Sequence, residues 1–296
     1  MHSDYTMLAT EKEPIVYLEH SKVVLKDSRL VAYKDDGKIE TIPPISTCLL
    51  LLGAGTSITQ SAAIYCAQNN LFLCFARGGS YIHSVWQGGR WPAPEKLVQQ
   101  CLLHSNEKDR LRIAKKLIYL KLKKEKFSDD VFENLEKINT VNKLLSFEAV
   151  QAKRTYKVLS QEFLENEDEC SKFVRDKNSH KGENGNLTLL NNALYSYCTA
   201  IIIQFGFSPS VGFVHGKTRR GGLSFDLADV FKYELTIKPS FANKKIKTKD
   251  LIVNFSLSLK HNRYRIVKEM FHILKYINGE INDKIVEDIL DEYNRL

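Results

Sequence analysis

The segment GFVHGKTRRGGLSFDLADVFK, residues 212–232, contains the residue types that metal-dependent phosphodiester chemistry requires. It has one histidine, His215, and two carboxylates, Asp226 and Asp229, at the spacing that puts two side chains on one helix face. An imidazole nitrogen with carboxylate oxygens suits Mg²⁺ or Mn²⁺ better than a thiolate-type zinc site. Such an ion polarises a phosphoryl oxygen and activates a nucleophile, while neighbouring Lys and Arg side chains hold the flanking phosphates.

Both aspartates are expected in the first turns of a helix capped by Ser224. An acidic residue near a helix N-terminus also interacts favourably with the helix dipole, so Asp226 alone could have a purely structural role. His215 precedes this helix in a glycine-rich loop that can fold back over the helix start. The opposite helix face is apolar and can anchor the helix in a core.

Glu148 is the best candidate for a third ligand from another segment. It lies in LLSFEAVQAKRTY, residues 144–156, next to apolar positions. A carboxylate in such surroundings is costly to bury without a cation. An exposed helix glutamate is the alternative, and this segment alone does not decide between the two.

Basic residues near these groups are candidate contacts for DNA. Three lie in the loop after His215, and two lie on a predicted helix over 258–278. The lysines between residues 115 and 126 form a charge run that is typical of a solvated helix face, although a stripe touching DNA would look the same. The candidate phosphate contacts are Lys217, Arg219, Arg220, Arg263 and Arg265.

The composition favours a polyanionic partner and a reducing compartment. The chain of 296 residues has a formal net charge of +8 and a pI of about 9.0, which points to nucleic acid first and an anionic membrane second. No apolar run approaches the roughly 18 residues of a membrane helix, and the N-terminus has no signal-like apolar region. The six cysteines form no C-x-x-C pair and mostly lie in apolar runs, which predicts buried, reduced thiols.

The chain divides into two halves with different periodicity. Short β-branched runs before residue 92 predict strands, and the runs CLLLL (48–52) and LFLCFA (71–76) predict strands buried on both faces. After Pro94 apolar residues recur every three or four positions, which predicts helices. The expected fold is α+β: a small β-rich N-terminal domain, 1–92, and a larger all-helical catalytic domain, 93–296. The polar segment 166–186 is expected to be a surface loop.

Two glycine motifs look like phosphate loops but are better explained otherwise. LLLLGAGTSIT (49–59) lacks the third glycine of G-x-G-x-x-G, so we expect a tight strand-to-helix turn with a Ser or Thr cap. Gly216-Lys217-Thr218 spells G-K-T, but Val211 occupies the position where a Walker A loop needs glycine. ATPase activity is therefore not expected.

Taken together, the motifs resemble those of the CRISPR-associated spacer integrases, the catalytic subunits of CRISPR adaptation. The resemblance covers most of the chain and follows the order of the family's motifs. Its most specific part is GFVH followed by SFDLAD. The other matching motifs are VYLEH, DSRLVAY, IPP, LGAGTSIT, AAIYCAQNNLFLCF, the E-x₅-R-x-Y pattern at Glu148, Arg154 and Tyr156, and ALYSYCTAIIIQFGFSPSVGFVH.

The resemblance implies a metal-dependent DNA endonuclease and integrase of a prokaryotic cytoplasm. A 3′-hydroxyl of a captured DNA fragment would attack a phosphodiester at a repeat boundary, so that the fragment becomes a new spacer. The family's metal ligands fall on Glu148, His215 and Asp229, with Asp226 as a supporting catalytic carboxylate and Mg²⁺ or Mn²⁺ as the ion. The implied partners are double-stranded DNA, a second copy of the chain and a small ferredoxin-like adaptation protein, in some subtypes fused to a helicase-nuclease. The sequence as a whole most resembles the integrases of type I systems, and subtype I-F is the specific expectation.

Three features qualify this resemblance. The loop HGKTRRGGLS is longer and more basic than expected for the family. This difference is expected to affect DNA binding more than the metal site. His20 occupies the position where some relatives carry an aromatic wedge against the duplex end, although a plain surface histidine fits as well. Tyr195 is a further candidate DNA contact, since it lies in the matching ALYS stretch, but it and Tyr156 could be ordinary core aromatics.

Two other functions fit the same residues. An integrase of a mobile element, or a stand-alone structure-selective nuclease, would use the same fold and the same ligands. A non-catalytic DNA-binding scaffold is the alternative outside the enzymes. The presence of all four candidate site residues, Glu148, His215, Asp226 and Asp229, argues against a scaffold.

Overall fold

A computed structural model describes residues 11–77, 81–85, 93–163, 173–179, 181–215, 220–243 and 246–295. Strands with one helix come first along the chain, and helices make up the rest. The predicted α+β class, with a β-rich N-terminal part and a helical C-terminal part, is confirmed. The position of the domain boundary at residue 92 stays a prediction.

The bounds of the elements follow the sequence periodicity closely. The strands are β1 (Glu13–Leu18), β2 (Ser21–Lys26), β3 (Arg29–Lys34), β4 (Ile39–Ile42), β5 (Thr47–Leu52), β6 (Ser57–Ile58), β7 (Phe72–Arg77) and β8 (Tyr81–Val85). The helices are α1 (Gln60–Gln68), α2 (Pro94–Ser105), α3 (Glu107–Lys124), α4 (Asp129–Glu136), α5 (Val141–Phe163), α6 (Gly182–Gln204), α7 (Gly222–Lys232), α8 (Lys238–Ala242), α9 (Thr248–His261), α10 (Arg263–Ile277) and α11 (Asp283–Arg295). A π-helical turn, Tyr233–Ile237, joins α7 to α8.

The strands form two four-stranded sheets. The first has the order β1-β5-β7-β8, in which only the β7–β8 pair is antiparallel. The second has the order β4-β3-β2-β6, in which β2 and β6 are parallel. The turn LGAGTSIT leads into α1, where the Thr59 side chain accepts a hydrogen bond from the backbone N–H of Ala62. This confirms the expected Ser or Thr cap.

Strand β5 connects the two halves of the molecule. All six of its residues are buried, as expected for the CLLLL run. Leu49 and Leu51 pack into the helical core, whereas Leu50 and Leu52 pack into the core between the two sheets. Since successive side chains of a strand point to opposite faces, the first sheet lies between the second sheet and the helices. The β-rich part and the helical part therefore share one buried surface.

Two helix boundaries differ from the sequence expectation. Helix α6 begins at Gly182, inside the segment expected to be a loop, because Asn184 in its first turn is tied to the preceding chain. Its Oδ1 accepts hydrogen bonds from the Arg175 side chain and from the backbone N–H of Asp176. The helix expected over 258–278 is divided at Asn262 into α9 and α10.

Helix α7, which carries Asp226 and Asp229, lies between α3 and α6. Its apolar face is fully buried, as the sequence predicted, with Leu227 and Phe231 inaccessible to solvent. Helix α6 is buried on almost every side, which is typical of the central helix of a core. In the part of the chain that the structure describes, no helix combines the length and apolarity needed to cross a membrane.

Candidate metal and DNA site

The N-terminal cap of helix α7 lies three residues earlier than the Ser224 cap expected from the sequence. Gly221 occupies the cap position with a φ of 78°, a left-handed conformation that favours glycine. Ser224 lies within the first turn, where it is buried and its hydroxyl is 2.7 Å from the Thr199 hydroxyl on α6. This hydroxyl pair joins α7 to α6, and the prediction that Ser224 caps the helix is wrong.

The GFVH stretch folds back onto the start of α7, as the sequence suggested. Gly212 lies directly against the backbone of Gly222, so closely that a Cβ on Gly212 would be 2.4 Å from the Gly222 carbonyl carbon. The backbone N–H of Leu223 donates to the Pro209 carbonyl at 3.0 Å. Only glycine at position 212 permits this approach, which brings His215 next to the helix.

Asp226 holds the GFVH stretch in place through four contacts. Its Oδ2 accepts the backbone N–H groups of Phe213 and Val214. Its Oδ1 accepts the backbone N–H of His215 at 3.0 Å and lies 2.8 Å from His215 Nδ1. Both oxygens of Asp226 are thus used within the protein, and the residue is 1% exposed. With Nδ1–H donating to Asp226, the Nε2 lone pair of His215 faces the other side of the ring.

Helices α2 and α3 hold the carbonyl groups of the same stretch. His104 Nδ1 lies 2.7 Å from the Gly212 carbonyl oxygen, and Arg110 Nε donates to the Phe213 carbonyl at 3.0 Å. Arg110 is buried, so its planar guanidinium is fixed in one orientation. The loop before α7 is thus tied down on both its N–H and its carbonyl sides.

Asp229 lies on the Nε2 side of the His215 ring. Its Oδ2 lies 4.0 Å from His215 Nε2, and its Oδ1 forms an ion pair with Lys232 one turn along α7. Burial alone would raise the pKa of Asp229, but the ammonium groups of Lys232 and Lys121 outweigh it and lower the pKa to about 2. The carboxylate is therefore ionised at neutral pH, with Lys232 as its counter-ion.

Glu148, on α5, is connected to Asp229 through Lys121. It is mostly buried and forms an ion pair with Lys121 of α3, whose side chain is 6% exposed. Lys121 also interacts electrostatically with Asp229 and with Glu125. Burial raises the pKa of Glu125, against the opposing effect of Lys121, and Thr155 of α5 donates a hydrogen bond to Glu125 Oε2. The cation that the sequence required for burying Glu148 is thus a lysine of the neighbouring helix.

The candidate ligand side chains have the atom types that a hard divalent cation binds. His215, Asp229 and Glu148 offer one imidazole nitrogen and carboxylate oxygens from three separate segments, the set that Mg²⁺ or Mn²⁺ accepts. Asp229 Oδ1 is buried and receives no hydrogen bond of good geometry from the described residues. Among those residues, no group of three or more His, Cys, Asp or Glu side chains is gathered closely enough to hold an ion as it stands. Lysines neutralise the carboxylates instead.

A groove of about 270 Å³ opens beside this cluster, between α6 and the start of α7. Tyr195 lines it and packs edge-on against Phe225, with ring centroids 4.5 Å apart. The Tyr195 ring also lies 4.8 Å from the Lys232 ammonium. Arg220, which is exposed, lines the same groove. Tyr195 is therefore connected to Asp229 through Lys232, and Arg220 lines the same groove as Tyr195. Lys217 and Arg219 lie outside the described residues.

The other candidate DNA contacts lie elsewhere. His20 is 62% exposed in the turn between β1 and β2, with a φ of 47°, and its ring rests against Gly55.

Arg263 begins α10 and is half-buried. Arg265 is paired with Glu234 at 3.0 Å and with the fully buried Glu269 at 2.9 Å, which gives it a structural role in the helical core. Tyr156 packs against Phe173 and Phe241 as a core aromatic.

The lysine run of α3 is the feature that sequence reasoning misjudged. Lys116, Lys121 and Lys124 are buried, and each forms an ion pair with a glutamate of another helix. Lys123 is paired with Asp291 of α11 at 2.7 Å. The expected solvated face is wrong for these residues. The signal was present in the sequence, since Lys116 and Lys124 lie among the apolar residues that face the core at helical spacing.

The sequence of this chain matches a known protein family. The family model described as CRISPR associated protein Cas1 matches residues 15–128 and 125–271. The CRISPR-associated endonuclease Cas1 of Pseudomonas aeruginosa is 28% identical over 275 residues, covering 80% of this chain and 83% of the relative. CRISPR-associated endonuclease Cas1 2 of Chlorobaculum tepidum is 25% identical over 238 residues, covering 78% and 75%.

Solved structures share the fold at lower identity. A CAS1 protein from Thermotoga maritima superposes with a TM-score of 0.76 at 17% identity, covering 90% of this chain and 97% of that one. TtCas1 in a complex with DNA gives 0.70 at 20% identity, covering 88% and 91%. A casposase bound to integration product gives 0.74 at 14% identity, covering 90% and 91%. Because the family model spans most of the sequence, this chain belongs to the CRISPR-associated Cas1 family.

Proposed function

We propose that this chain is a divalent-metal-dependent DNA endonuclease and strand-transfer integrase that inserts DNA fragments as spacers into a CRISPR array. The observation that carries the proposal is a buried cluster in which Asp229 Oδ2 lies 4.0 Å from His215 Nε2, beside a groove lined by Arg220. Lys121 connects Glu148 to this cluster, because it forms an ion pair with Glu148 and also interacts electrostatically with Asp229. The curated relatives, which are named as endonucleases, support the reaction class.

The residues of the site have distinct tasks in this reaction. His215, Asp229 and Glu148 would hold Mg²⁺ or Mn²⁺, and the bound ion would supply polarisation of the scissile phosphate and activation of the attacking hydroxyl. Asp226 keeps His215 in the tautomer with a lone pair on Nε2. Lys232 and Lys121 keep the Asp229 carboxylate ionised, because they lower its pKa. Strand transfer uses a DNA 3′-hydroxyl as nucleophile, and hydrolytic nicking uses water.

In this proposal, contacts between basic side chains and DNA phosphates provide the affinity for DNA. Arg220 lies beside the groove, and Lys217 and Arg219 belong to the same basic loop of the sequence. The net charge of +8 favours a duplex partner. The similar fold of a protein described in a complex with DNA supports the same role here.

The proposal includes two protein partners. A second copy of the chain would pair through the β-rich half, and the small ferredoxin-like adaptation protein would bridge two such dimers, in some subtypes as a fusion with a helicase-nuclease. Both expectations come from the family resemblance. Subtype I-F likewise stays a prediction.

An integrase of a mobile element is the second candidate, because a casposase bound to integration product shares the fold. The two candidates use the same site and differ in the target DNA. A CRISPR integrase requires the repeat, whereas a mobile-element integrase requires the ends of its own element. A stand-alone structure-selective nuclease would cut branched DNA and join nothing.

The test is a joining reaction. The purified full chain, its small partner and Mn²⁺ or Mg²⁺ are incubated with a short duplex and a supercoiled plasmid that carries the repeat of the same locus. We expect joined product with the repeat plasmid and none with a duplex that ends in a dideoxynucleotide. Equal joining into a plasmid with a scrambled repeat would favour the mobile-element integrase, and cleavage without joining would favour the nuclease.

A further inference from the structure

A second buried glutamate lies next to the Lys121–Glu148 ion pair and takes no part in the assignments above. Glu125 follows the last turn of α3, four residues after Lys121, which is the spacing of neighbours on one helix face. Its Oε2 accepts a hydrogen bond from Thr155, whereas its Oε1 is buried and accepts none from any described residue. One carboxylate oxygen of Glu125 thus has a hydrogen-bond donor among the described residues and the other has none. Glu125 is also close enough to Lys121 to interact with it electrostatically.

The surroundings of Lys121 hold more carboxylates than it can neutralise. Glu148, Asp229 and Glu125 all attract its ammonium, and Lys232 forms an ion pair with Asp229. A buried carboxylate without a cation or hydrogen bonds is strongly unfavourable, so the lysine side chain is held by the most favourable of its partners. In this structure that partner is Glu148.

We propose that Lys121 is a built-in counter-ion, which holds Glu148 while no metal is bound and moves to Glu125 when a divalent cation takes Glu148. The flexible four-carbon stem of a lysine permits such a move, whereas a rigid guanidinium would not. The open acceptor on Glu125 gives the displaced ammonium a partner inside the protein. This inference rests on the proposed function, because it names the residues that exchange partners when the metal of that function binds.

Lys121 is a positioning residue in this account, and its effect is a competition with the metal. Removing its charge should strengthen metal binding, since the ammonium that competes for Glu148 disappears. Removing the Glu125 charge should weaken metal binding, since the ammonium displaced from Glu148 then loses its alternative partner. The second effect requires Lys121 and should largely disappear in its absence.

The test measures Mn²⁺ affinity by calorimetric titration, and thermal unfolding with and without Mn²⁺, on the full chain. We expect Lys121→Met to tighten the Mn²⁺ dissociation constant by about tenfold or more and to enlarge the rise in Tm that Mn²⁺ produces. Lys116→Met is the matched control: Lys116 is a buried lysine of the same helix, paired with Glu287, outside the cluster. It should lower the Tm equally with and without Mn²⁺ and leave the dissociation constant unchanged.

Glu125→Gln completes the cycle. It should weaken Mn²⁺ binding about fivefold to tenfold in the wild-type background, and by much less in the Lys121→Met background. Lys121→Gln, which can still donate a hydrogen bond to Glu148, provides the same comparison if the methionine variant does not fold. Equal weakening in both backgrounds would mean that Glu125 acts on the ion directly, and the exchange would be wrong.

The outcomes separate this inference from the function on which it rests. Wild type and Lys121→Met binding Mn²⁺ with the same affinity would overturn the inference and leave the metal-dependent integrase in place. If neither protein bound Mn²⁺ or Mg²⁺, both would be overturned. Tighter binding by Lys121→Met, with the Lys116→Met control unchanged, is the result that the exchange requires.

Discussion

His215 and Asp226 are joined at two points: the backbone N–H and the ring Nδ1 of His215 both contact Asp226 Oδ1, at 3.0 and 2.8 Å. This double contact sets the direction of the imidazole as well as its tautomer. It turns Nε2 towards Asp229, which lies one helical turn further along α7. A carboxylate commonly fixes the tautomer and the ring orientation of a histidine in this way at metal sites.

Replacing Asp226 should therefore disturb both stability and activity. Asp226→Asn places an amide group where one carboxylate oxygen accepts N–H groups, so donors would face donors. We expect a loss of about 2–4 kcal/mol in the free energy of unfolding, measured by urea titration, together with reduced strand transfer. Asp288→Asn, an exposed aspartate of α11, is the control and should change neither. An Asp226→Asn protein of wild-type stability would show that these hydrogen bonds do not organise the loop.

The basic loop should bind phosphates and not read bases. Converting Arg219 and Arg220 to alanine should weaken binding to all DNA sequences alike. The log–log salt dependence of binding to duplex DNA should flatten by about 0.9 for each phosphate that the variant no longer neutralises. Mn²⁺ affinity should be nearly unchanged, since neither arginine can be a ligand.

The matched control for the loop is the exposed pair Lys22 and Arg29 on the second sheet, converted to alanine. This variant should keep the wild-type salt slope. If the Arg219/Arg220 variant kept its affinity and slope but lost its preference among repeat sequences, the loop would be reading bases and our account of it would fail.

Pairing of two copies through the β-rich half is testable only in the full chain. A fragment starting near residue 96 would lose β5, whose Leu49 and Leu51 fill part of the helical core. We expect Ile39→Lys with Ile45→Lys, at exposed apolar positions of the β-rich half, to convert a dimer to a monomer by light scattering. Val150→Lys with Val158→Lys, exposed on α5, should leave the dimer intact. The opposite pattern would place the interface on the helices.

The thiols should differ sharply in reactivity. Cys48, Cys66, Cys74 and Cys198 are buried, and burial raises the pKa of Cys48 and of Cys66 to about 12. Cys101 on α2 is exposed. In a Cys170→Ser background, we expect Ellman's reagent to label one thiol quickly and the other four only after unfolding. Rapid labelling of more than one thiol in the folded protein would contradict the burial of the others.

The sequence predicted the order of elements and the aspartate pair because both follow from short-range patterns. Strand β5 appears as a continuous apolar run, and α7 shows its apolar face at helical spacing. It could not predict that Lys121 pairs with Glu148, because the two residues are 27 positions apart in the chain and lie on different helices. The same holds for Arg110, whose contact with Phe213 spans 103 residues. Long-range pairing of charges depends on how the helices pack, which the local pattern does not encode.

The most direct measurement of the central claim is strand transfer by Asp229→Asn beside wild type and the Asp288→Asn control, in Mn²⁺ and in Mg²⁺. Our account predicts that Asp229→Asn loses joining by at least about a hundredfold in both ions, while its circular dichroism spectrum and its DNA affinity stay close to wild type. Asp288→Asn should join normally. Near-normal joining by Asp229→Asn, with unchanged dependence on the ion, would remove Asp229 from the site and contradict the account.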